Sequence, residues 1–529
     1  MKQFKLFLLS FFLLLGTSAI YAQTKATTDD KDLPLSILMA KSNLDYKYDS
    51  KRKGWKYDNS LIPESMIDVY LKYKDKYDVS ALKDHIDDYI KQAITFTQNE
   101  GELDDIRPGL FVLKYHNAFN SSATSDDYTK KAISVMTTLQ KCDTVIVKKV
   151  EGVGNVGIWE HKHKNYPKQV WLDGLYMAQP FYAKAAGMGI LETGYTQDSM
   201  YTNTTNMLLA ADKATYDPNI KLWKHAWDGT AKKFWIDNKK IGHNNSGSSS
   251  NYPDVENDWG GLKSNQSCHT WGRALGWYAM AILDVMDNIK EKDPNNSNLP
   301  KLQKLFTKVM GRVVDVQDPS THVWYNVLDV DANGKGLNGQ TYTGVANKLE
   351  GTCSAMFTYC LLKGTREGWL VNDSHDYLSA AKNAFTGMIT NLCDVADSSI
   401  SFKKNCMTVG GLGKEKDETT NYRDGSFDYY NKGESFSNKE CKAIGPFIWA
   451  ALEAERIGYV RQTNSFEPLE EKDITTFKWS KTSDNITLGG DYTAPTLTLK
   501  NVKGDVDIAN NVDFKIDGDE IINVSTDGK

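Results

Sequence analysis

Apolar segments of helical length occupy most of this chain, and they alternate between two patterns of polarity. In one pattern the apolar residues form a single stripe and charged residues cover the rest, which is typical of a helix with one solvent-exposed side. In the other, apolar residues surround the segment, which is typical of a helix enclosed by other helices. The sequence predicts twelve helices, at residues 34–44, 62–74, 80–96, 106–119, 126–142, 168–187, 197–216, 272–289, 299–317, 351–368, 376–392 and 442–458.

The third and sixth segments illustrate the two patterns. In the third, Leu82, Ile86 and Ile90 share one face, while Lys83 and Asp87 lie elsewhere. In the sixth, WLDGLYMAQPFYAKAAG, apolar residues cover nearly every side. Six hairpins, each with one exposed and one enclosed helix, close most simply into a ring of six inner helices surrounded by six outer ones. The predicted fold is therefore an all-α (α/α)6 barrel.

The two ends of the chain depart from this pattern. Residues 1–22 combine Lys2 and Lys5 with an apolar run from about Leu6 to Leu15, which predicts a secretory signal peptide too short to span a membrane. The barrel is expected over residues 30–462. Residues 463–529 contain short Thr, Val, Ile and Leu runs broken by Gly, Asp and Asn, which predicts a small β-rich segment. We expect an exported protein without a membrane span, located in the periplasm or, alternatively, outside the cell or at its surface.

The net charge, the cysteines and the short motifs exclude several classes of function. A net charge of -5 gives no basic footprint for nucleic acid or anionic membrane. Seven cysteines without close pairs predict neither a zinc site nor a dense disulfide framework, although one or two bridges stay open. Residues 329–340, DVDANGKGLNGQ, have calcium-loop spacing, but Gln340 replaces the bidentate Glu, and Asn333-Gly334 is equally typical of a hairpin turn. No metal or cofactor is predicted.

Polar and aromatic residues lie at the N-terminal ends of the predicted inner helices. If those helices run in the same direction, these ends meet at one mouth of the barrel. Asp173 is the clearest case, because desolvating a carboxylate among large apolar residues is costly unless it is paired or protonated. The other candidates near these starts are Asp104, Asp105, Trp55, Tyr57, Trp271, Arg273, Trp277 and Glu350, with His225 and Trp227 in the connection before the eighth helix.

Each candidate also has a purely structural interpretation. An Asp in a first turn is often a cap, a buried Arg is often an ion-pair partner, and a Trp is often part of the core. Spacing selects neither His161 nor His163, and both are also compatible with the surface. The joint placement at alternate helix starts favours a carbohydrate pocket instead. Arg273 suits a carboxylated sugar, because its planar fork can hold a carboxylate at two points, and helix N-termini also favour an anion.

Several stretches together resemble one family, the unsaturated rhamnogalacturonyl hydrolases of glycoside hydrolase family 105. They are YPKQVWLDGLYMAQPF, HAWD, WGRALGWYAMAILDVMD, LEGTCSAMFTYCLLKG and GGLGKEKDETTNYRDGSFDYY followed by KAIGPF. LDDIRPG also fits the family pattern L-D-x-I-x-x-G, which selects Asp104 rather than Asp105. The resemblance extends from about residue 35 to 460.

This resemblance implies an (α/α)6 barrel that removes a terminal 4,5-unsaturated galacturonic acid from pectin-derived oligosaccharides. It implies that Asp173 protonates C4 and deprotonates the water added at C5, and that Asp104 holds the sugar and helps to set that proton. His225, Trp271 and Arg273 would line the sugar site. The segment between HAWD and WGRALGW is longer than in the family, and the C-terminal β-rich segment is unusual for it.

Three alternatives stay open at this point. The related family 88 comprises unsaturated glucuronyl hydrolases that act on glycosaminoglycan fragments by the same chemistry. A non-catalytic oligosaccharide-binding protein could use the same barrel. A polysaccharide lyase on an (α/α) toroid would create the double bond rather than remove it.

Overall fold

A computed structural model describes residues 32–119, 127–162, 167–229, 265–414, 422–423 and 425–467, together with three strands beyond them. Within these residues the chain forms twelve α-helices, as the apolar pattern predicts. They are α1 (Leu35–Lys41), α2 (Leu61–Tyr73), α3 (Ser80–Ala93), α4 (Pro108–Phe119), α5 (Asp127–Gln140), α6 (Leu172–Gly187), α7 (Gln197–Thr215), α8 (Gly272–Lys292), α9 (Leu299–Asp315), α10 (Gly351–Arg366), α11 (Tyr377–Leu392) and α12 (Cys441–Arg456).

The even-numbered helices form a closed inner ring. Helix α6 packs against α8, α8 against α10, α10 against α12, α12 against α2, α2 against α4, and α4 completes the ring against α6. Each odd-numbered helix packs on the outside of one inner helix, with α1 on α12. The (α/α)6 barrel is therefore confirmed.

Glycines let the inner helices approach one another closely. A Cβ at Gly276 on α8 would lie 2.7 Å from the sulfur of Met356 on α10. A Cβ at Gly445 on α12 would lie 2.9 Å from the backbone oxygen of Leu61 on α2. Real Cβ atoms do not come this close to other atoms, so larger residues at these two points would push the ring apart.

Short strands lie in the connections between helices, where the apolar pattern did not predict them, and further strands follow the last helix, where the sequence predicts a β-rich segment. The described strands are β1 (Thr144–Val150), β2 (Gly154–Trp159), β3 (Gln169–Trp171), β4 (Tyr216–Asp217), β5 (Leu222–Trp223), β6 (Ala226–Asp228), β7 (Cys393–Val395), β8 (Ile400–Phe402), β9 (Cys406–Met407), β10 (Gly413–Lys414), β11 (Tyr422–Arg423), β12 (Phe436–Ser437), β13 (Tyr459–Val460), β14 (Ser465–Phe466), β15 (Ile474–Trp479), β16 (Leu497–Asn501) and β17 (Gly504–Val506). One consequence is a correction to the predicted sixth helix. It begins at Leu172 rather than residue 168, because Gln169–Trp171 pairs with Ala226–Asp228 as a strand.

The C-terminal region contains a three-stranded sheet in which β16 lies between β15 and β17. Barrel packing continues past residue 462, because Phe466 contacts Phe385 of α11 at a ring-centroid distance of 6.2 Å. A separate unit over residues 463–529 stays a prediction. The predicted signal peptide lies outside the described residues, and so do nearly all of residues 241–265, a polar, Gly/Ser/Asn-rich stretch within the long segment between HAWD and WGRALGW.

Two further expectations can be compared with the described residues. All seven cysteines lie among them, each is buried, and no disulfide joins any two of them. The helices that the structure describes include none with the length and apolar character needed to cross a bilayer.

Candidate active site

The N-terminal ends of four inner helices carry the polar residues that the sequence singled out. Asp104 lies in a 3₁₀ turn, Leu103–Asp105, just before α4. Asp173 lies in the first turn of α6, and Arg273 follows the first residue of α8. Glu350 is the N-cap of α10, where its side chain accepts a hydrogen bond from the Cys353 backbone N–H.

The β3–β6 ladder brings His225 to Asp173. Trp171 pairs with Ala226, and the Leu172 backbone N–H donates to the His225 backbone oxygen at 3.0 Å. His225 Nε2 then lies 3.0 Å from Asp173 Oδ2. The Asp173 side chain is 13% exposed and that of His225 is fully buried. The apolar sequence neighbours of Asp173 are buried in the barrel wall, whereas its carboxylate meets an imidazole at the mouth.

The His225 ring is held on several sides. Its Nδ1 lies 2.8 Å from the hydroxyl oxygen of Tyr430. The Trp271 ring lies 4.8 Å away in a tilted arrangement, and the Trp171 ring presents an edge at 5.5 Å. These contacts fix the imidazole so that Nε2 faces Asp173.

Asp104 and Asp105 have different surroundings. Lys162 Nζ lies 2.7 Å from Asp104 Oδ2, and His161 Nε2 lies 3.9 Å from Asp104 Oδ1. Burial opposes ionisation, but Lys162 and His161 outweigh it, so the pKa of Asp104 is lowered. Asp105 instead pairs with Arg52 and accepts from the Asn99 backbone N–H at 2.7 Å. Asp105 therefore anchors the local chain, and Asp104 is the carboxylate beside His161.

His161 lies between the two candidate carboxylates. It is buried and stacks on Trp171 at 4.7 Å, so the surface interpretation of this residue is wrong. A Cβ at Gly174, the residue after Asp173, would lie 3.0 Å from His161 Nδ1, which explains why a glycine stands there. Burial lowers the pKa of His161 to about 4, so the imidazole is neutral near pH 7. His163 lies outside the described residues.

Lys162 is the site residue that sequence reasoning missed. Its segment, EHKHKNYP, has the polarity of a surface loop, and nothing in its spacing distinguishes Lys162 from Lys164. A β-bridge between Glu102 and Lys162 holds the segment beside the turn that carries Asp104. This long-range contact is what places Lys162 in the site, and it cannot be read from the sequence alone.

Arg273 and Glu350 belong to one buried network. Arg273 Nε donates to Thr352 Oγ1 at 2.9 Å, Nη2 donates to the Met407 backbone oxygen, and Nη2 lies 3.6 Å from Glu350 Oε1. Burial works against the charge, yet Glu350, together with Glu440 and other nearby groups, more than compensates, so the pKa of Arg273 is raised. Both oxygens of Glu350 are engaged, since Oε1 also accepts from the Met407 backbone N–H at 3.0 Å. This network ties the first turns of α8 and α10 together.

The candidate aromatic residues divide by exposure. Trp55, Trp271 and Trp277 are almost fully buried, and the Trp277 ring stacks on Tyr176 at 4.9 Å. The Trp55 indole N–H donates to the Asp105 backbone oxygen at 3.0 Å. Tyr57 and Trp227 are only partly buried, which leaves part of each side chain accessible to a ligand.

The calcium-like loop has its first carboxylate already occupied. Asp329 Oδ2 lies 2.9 Å from His269 Nδ1, and Oδ1 accepts from the Thr270 backbone N–H at 2.9 Å. Asp331 Oδ1 accepts backbone N–H groups of Asn333 and Lys335, and Gly334 has a positive φ of 77°. The segment is thus built as a turn, the second of the two interpretations that the sequence allowed.

Three buried polar atoms at the mouth lack a hydrogen-bond partner among the described residues. They are Asp173 Oδ2, His225 Nε2 and His161 Nδ1. The Asp173–His225 pair has the distance of a hydrogen bond without its alignment, which is common in catalytic pairs before a substrate arrives. Because buried polar atoms without partners are costly, a polar ligand that bonded to these three atoms would be favoured.

Comparison with known proteins gives consistent findings. The sequence matches the Glycosyl Hydrolase Family 88 profile over residues 37–246 and 253–458. A 24.9 kDa protein in the picA locus of Rhizobium radiobacter is 28% identical over 197 residues, which are 37% of this chain and 76% of that protein.

Two solved structures share the fold. A family 105 glycoside hydrolase from C. acetobutylicum is 26% identical with a TM-score of 0.60, covering 80% of this chain and 99% of its own. A possible family 105 member from Salmonella enterica is 15% identical with a TM-score of 0.54, covering 81% of this chain and 95% of its own. At 15% identity, the similarity to the Salmonella enterica protein shows a shared fold and nothing more.

Proposed function

Because the chain belongs to Glycosyl Hydrolase Family 88 and is a glycoside hydrolase, we propose that it removes a terminal 4,5-unsaturated galacturonic acid from rhamnogalacturonan or other pectin oligosaccharides. The reaction is hydration of the C4=C5 double bond. The observation that carries the proposal is the pairing of Asp173 with His225 beside the Asp104–Lys162 ion pair, with unpaired polar atoms left at the mouth.

Asp173 acts as both acid and base in this proposal. Its protonated carboxyl group donates a proton to C4, and water adds at C5. The carboxylate then takes a proton from the added water, so Asp173 returns to its starting form and the net change is addition of one water molecule. The product is a hemiketal, whose collapse releases the remaining oligosaccharide. One acid–base residue is enough, unlike the paired carboxylates of ordinary glycosidases.

Asp104 and Lys162 supply the fixed charges of the site. Since Lys162 and His161 lower the pKa of Asp104 against the effect of burial, Asp104 is an ionised carboxylate near neutral pH. Lys162 balances Asp104 and offers a cation to a uronate carboxylate, while hydroxyl groups of the sugar can accept from or donate to His161.

The partly accessible Tyr57 and Trp227 are the aromatic residues best suited to contact the sugar rings directly. The buried residues of the proposed binding set support the pocket from behind. Trp271 backs His225, Arg273 and Glu350 join two helix starts, and Trp55 and Trp277 fill the barrel wall.

A two-substrate assay tests the proposed specificity. Purified protein is given an unsaturated rhamnogalacturonan disaccharide or an unsaturated chondroitin disaccharide, and loss of the ultraviolet absorbance of the conjugated double bond is followed. We expect faster loss with the rhamnogalacturonan substrate. Faster loss with chondroitin would favour a glucuronyl hydrolase, and rising absorbance on an intact polysaccharide would identify a lyase.

Asp173→Asn tests the proposed mechanism. An amide cannot transfer the proton, so turnover should fall at least a hundredfold, the lower end of a general acid–base contribution. Oligosaccharide affinity, measured by calorimetry, should persist. Asp198→Asn is the matched control, because Asp198 lies in the first turn of outer helix α7 and is exposed. Normal turnover by Asp173→Asn would refute the mechanism, and absence of turnover by the unaltered protein would favour the binding-only alternative.

A further inference from the structure

The end of the barrel opposite the candidate active site contains a cavity of about 620 Å³. All six inner helices contribute to its wall, mostly through residues in their C-terminal halves. Leu71 lines it and is exposed, so the cavity is open to solvent. A cavity of this size is large enough to hold a small organic molecule. The function proposed above does not use it.

A polar layer inside the barrel separates this cavity from the mouth. Glu64 lines the cavity and pairs with the fully buried Arg107 at 2.7 Å. Arg107 Nη2 donates to the Tyr176 hydroxyl oxygen at 3.0 Å, and the Tyr176 ring stacks on Trp277 in the barrel wall. The cavity is therefore distinct from the candidate active site.

Charged side chains form much of the cavity wall, and nearly all of them are paired. Each of the six basic residues of the wall forms an ion pair with an acidic residue of the wall, such as Lys363 with Asp287 and Lys184 with Glu291. Among the described residues, Asp284 is the acidic residue of the wall that no Lys, Arg or His pairs with. The wall thus has one uncompensated negative charge.

Asp284 lies on α8 and is partly buried. It accepts a hydrogen bond from the Tyr359 hydroxyl at 3.3 Å. Burial raises the pKa of Asp284 to about 6, and Asp287 adds to this rise while Lys363 opposes it, so the carboxylate is ionised at pH 8. A partly enclosed charge without a counter-ion is costly, so a cation beside it would be stabilised.

The rest of the wall suits a cation that has an apolar part. The C-terminal ends of the inner helices meet at this end of the barrel, and each carries a partial negative charge. Apolar side chains such as Leu71 lie among the charged ones and can contact methylene groups. Lys114 and Lys363 Nζ lie 5.4 Å from the ring centroids of Trp449 and Tyr359, so the wall already places ammonium groups beside aromatic rings.

A metal ion fits this wall less well than an organic cation. Within the described residues, the side chains that converge as three metal ligands are Asp58, Glu440 and Cys441, at the mouth end where α2 and α12 begin. No such group of these residues surrounds Asp284. The cavity is also far larger than a single ion requires.

We propose that this cavity is a second binding site, for an organic cation that carries an ammonium group on an apolar stem. The ammonium group pairs with Asp284, and the stem contacts the apolar part of the wall. The proposal is independent of the reaction assigned to the mouth, because no residue of the cavity wall belongs to the candidate active site.

Isothermal titration calorimetry of the full chain with 1,4-diaminobutane at pH 8 tests this proposal. We expect one binding site, and no binding of butane-1,4-diol, which has the same length but no charge. Asp284→Asn should weaken diamine binding by about tenfold or more, the effect of losing one charge-assisted hydrogen bond. Glu291→Gln is the matched control, because Glu291 lines the same wall but pairs with Lys184 and is 41% exposed. It should weaken binding by less than about threefold.

A second variant keeps the test decisive if Asp284→Asn lowers stability. Asn288 lines the cavity four residues after Asp284 on the same helix, so Asn288→Lys places an ammonium group within reach of that carboxylate. This tethered cation should compete with the diamine and weaken its binding by about tenfold. The urea midpoint of this variant should stay the same or rise.

Four results would overturn the proposal. Absence of diamine binding at millimolar concentration would remove the site. Equal binding of the diol would show that charge is not recognised. Equal losses in Asp284→Asn and Glu291→Gln would show that only the total charge of the wall matters. Binding of Ca²⁺ that displaces the diamine and depends on Asp284 would identify a metal site instead.

Discussion

Glu350→Gln separates a structural role from a binding role at the barrel mouth. Three donors converge on the Glu350 carboxylate: the backbone N–H groups of Cys353 and Met407 and the hydroxyl of Thr352, at 2.8, 3.0 and 2.5 Å. Glutamine keeps one acceptor oxygen but replaces the other with an NH2 group, which would face a hydrogen-bond donor. The substitution also removes the negative charge beside Arg273, which is only 2% exposed.

The expected cost follows from these contacts. Breaking a buried ion pair by removing one partner costs about 3 to 5 kcal/mol, because the other charge stays buried and uncompensated. At a denaturant slope of about 3 kcal/mol per molar, the urea midpoint should fall by about 1 M or more. Because Glu350 is wholly buried, we expect the unfolding midpoint to change far more than KM.

The assay is urea unfolding followed by tryptophan fluorescence, alongside steady-state kinetics on the unsaturated disaccharide. Glu291→Gln is the matched control, since Glu291 pairs with Lys184 but is 41% exposed, and such pairs contribute about 0 to 1 kcal/mol. An unchanged midpoint with a large rise in KM would refute the structural reasoning and make Glu350 a substrate contact.

Two further predictions concern His161 and Gly410. The pKa of His161 in the folded protein, about 4, lies below its ordinary value of 6.5, so the unfolded chain takes up the proton first as pH falls. The free energy of unfolding is therefore insensitive to this group above pH 6.5 and falls towards pH 4, by at most about 3.4 kcal/mol at 1.36 kcal/mol per pKa unit. Unfolding measured across this interval should show a shallower loss for His161→Gln than for the unaltered chain, and equal slopes would contradict the assignment. At Gly410 a Cβ would lie 1.8 Å from the Trp271 ring, so Gly410→Ala should cost about 1 to 3 kcal/mol and reduce kcat by displacing the ring behind His225; normal stability and turnover would disprove this.

The helices were predictable because each has a distinct relation to solvent. The stripe of Leu82, Ile86 and Ile90 is repeated in the buried face of α3, and the nearly uniform apolarity of 172–187 corresponds to an almost wholly buried α6. A periodic pattern over three or more turns reports burial directly. Counting the two kinds of segment was therefore enough to give a closed double ring.

The local surroundings of the site were harder to predict, because sequence neighbours are not always spatial neighbours. Asp173 has apolar neighbours in the chain, yet a helix turns successive residues about 100° apart, and its carboxylate faces His225 instead. Lys162 lies in a polar segment and reaches Asp104 only through a contact across the mouth. Trp55, Trp271 and Trp277 are buried in the barrel. Tryptophan is common both in cores and at binding surfaces, so the residue type alone could not predict this burial.

The pairing of Asp173 with His225 depends on the register of a ladder only three residues long. A slip of one residue reverses which side of a strand each side chain occupies, so it would present Lys224 or Ala226 to Asp173 instead of His225. Such a short ladder has too few hydrogen bonds to fix its own register, and side-chain packing must do so. Trp171 in β3 is buried against His161, and Gly229, just after β6, lies so close to Val145 that a Cβ there would come within 2.2 Å of its side chain. The Asp173–His225 geometry is thus set by packing at both ends of β3 and β6, and substitutions at Gly229 should disturb His225 without touching it.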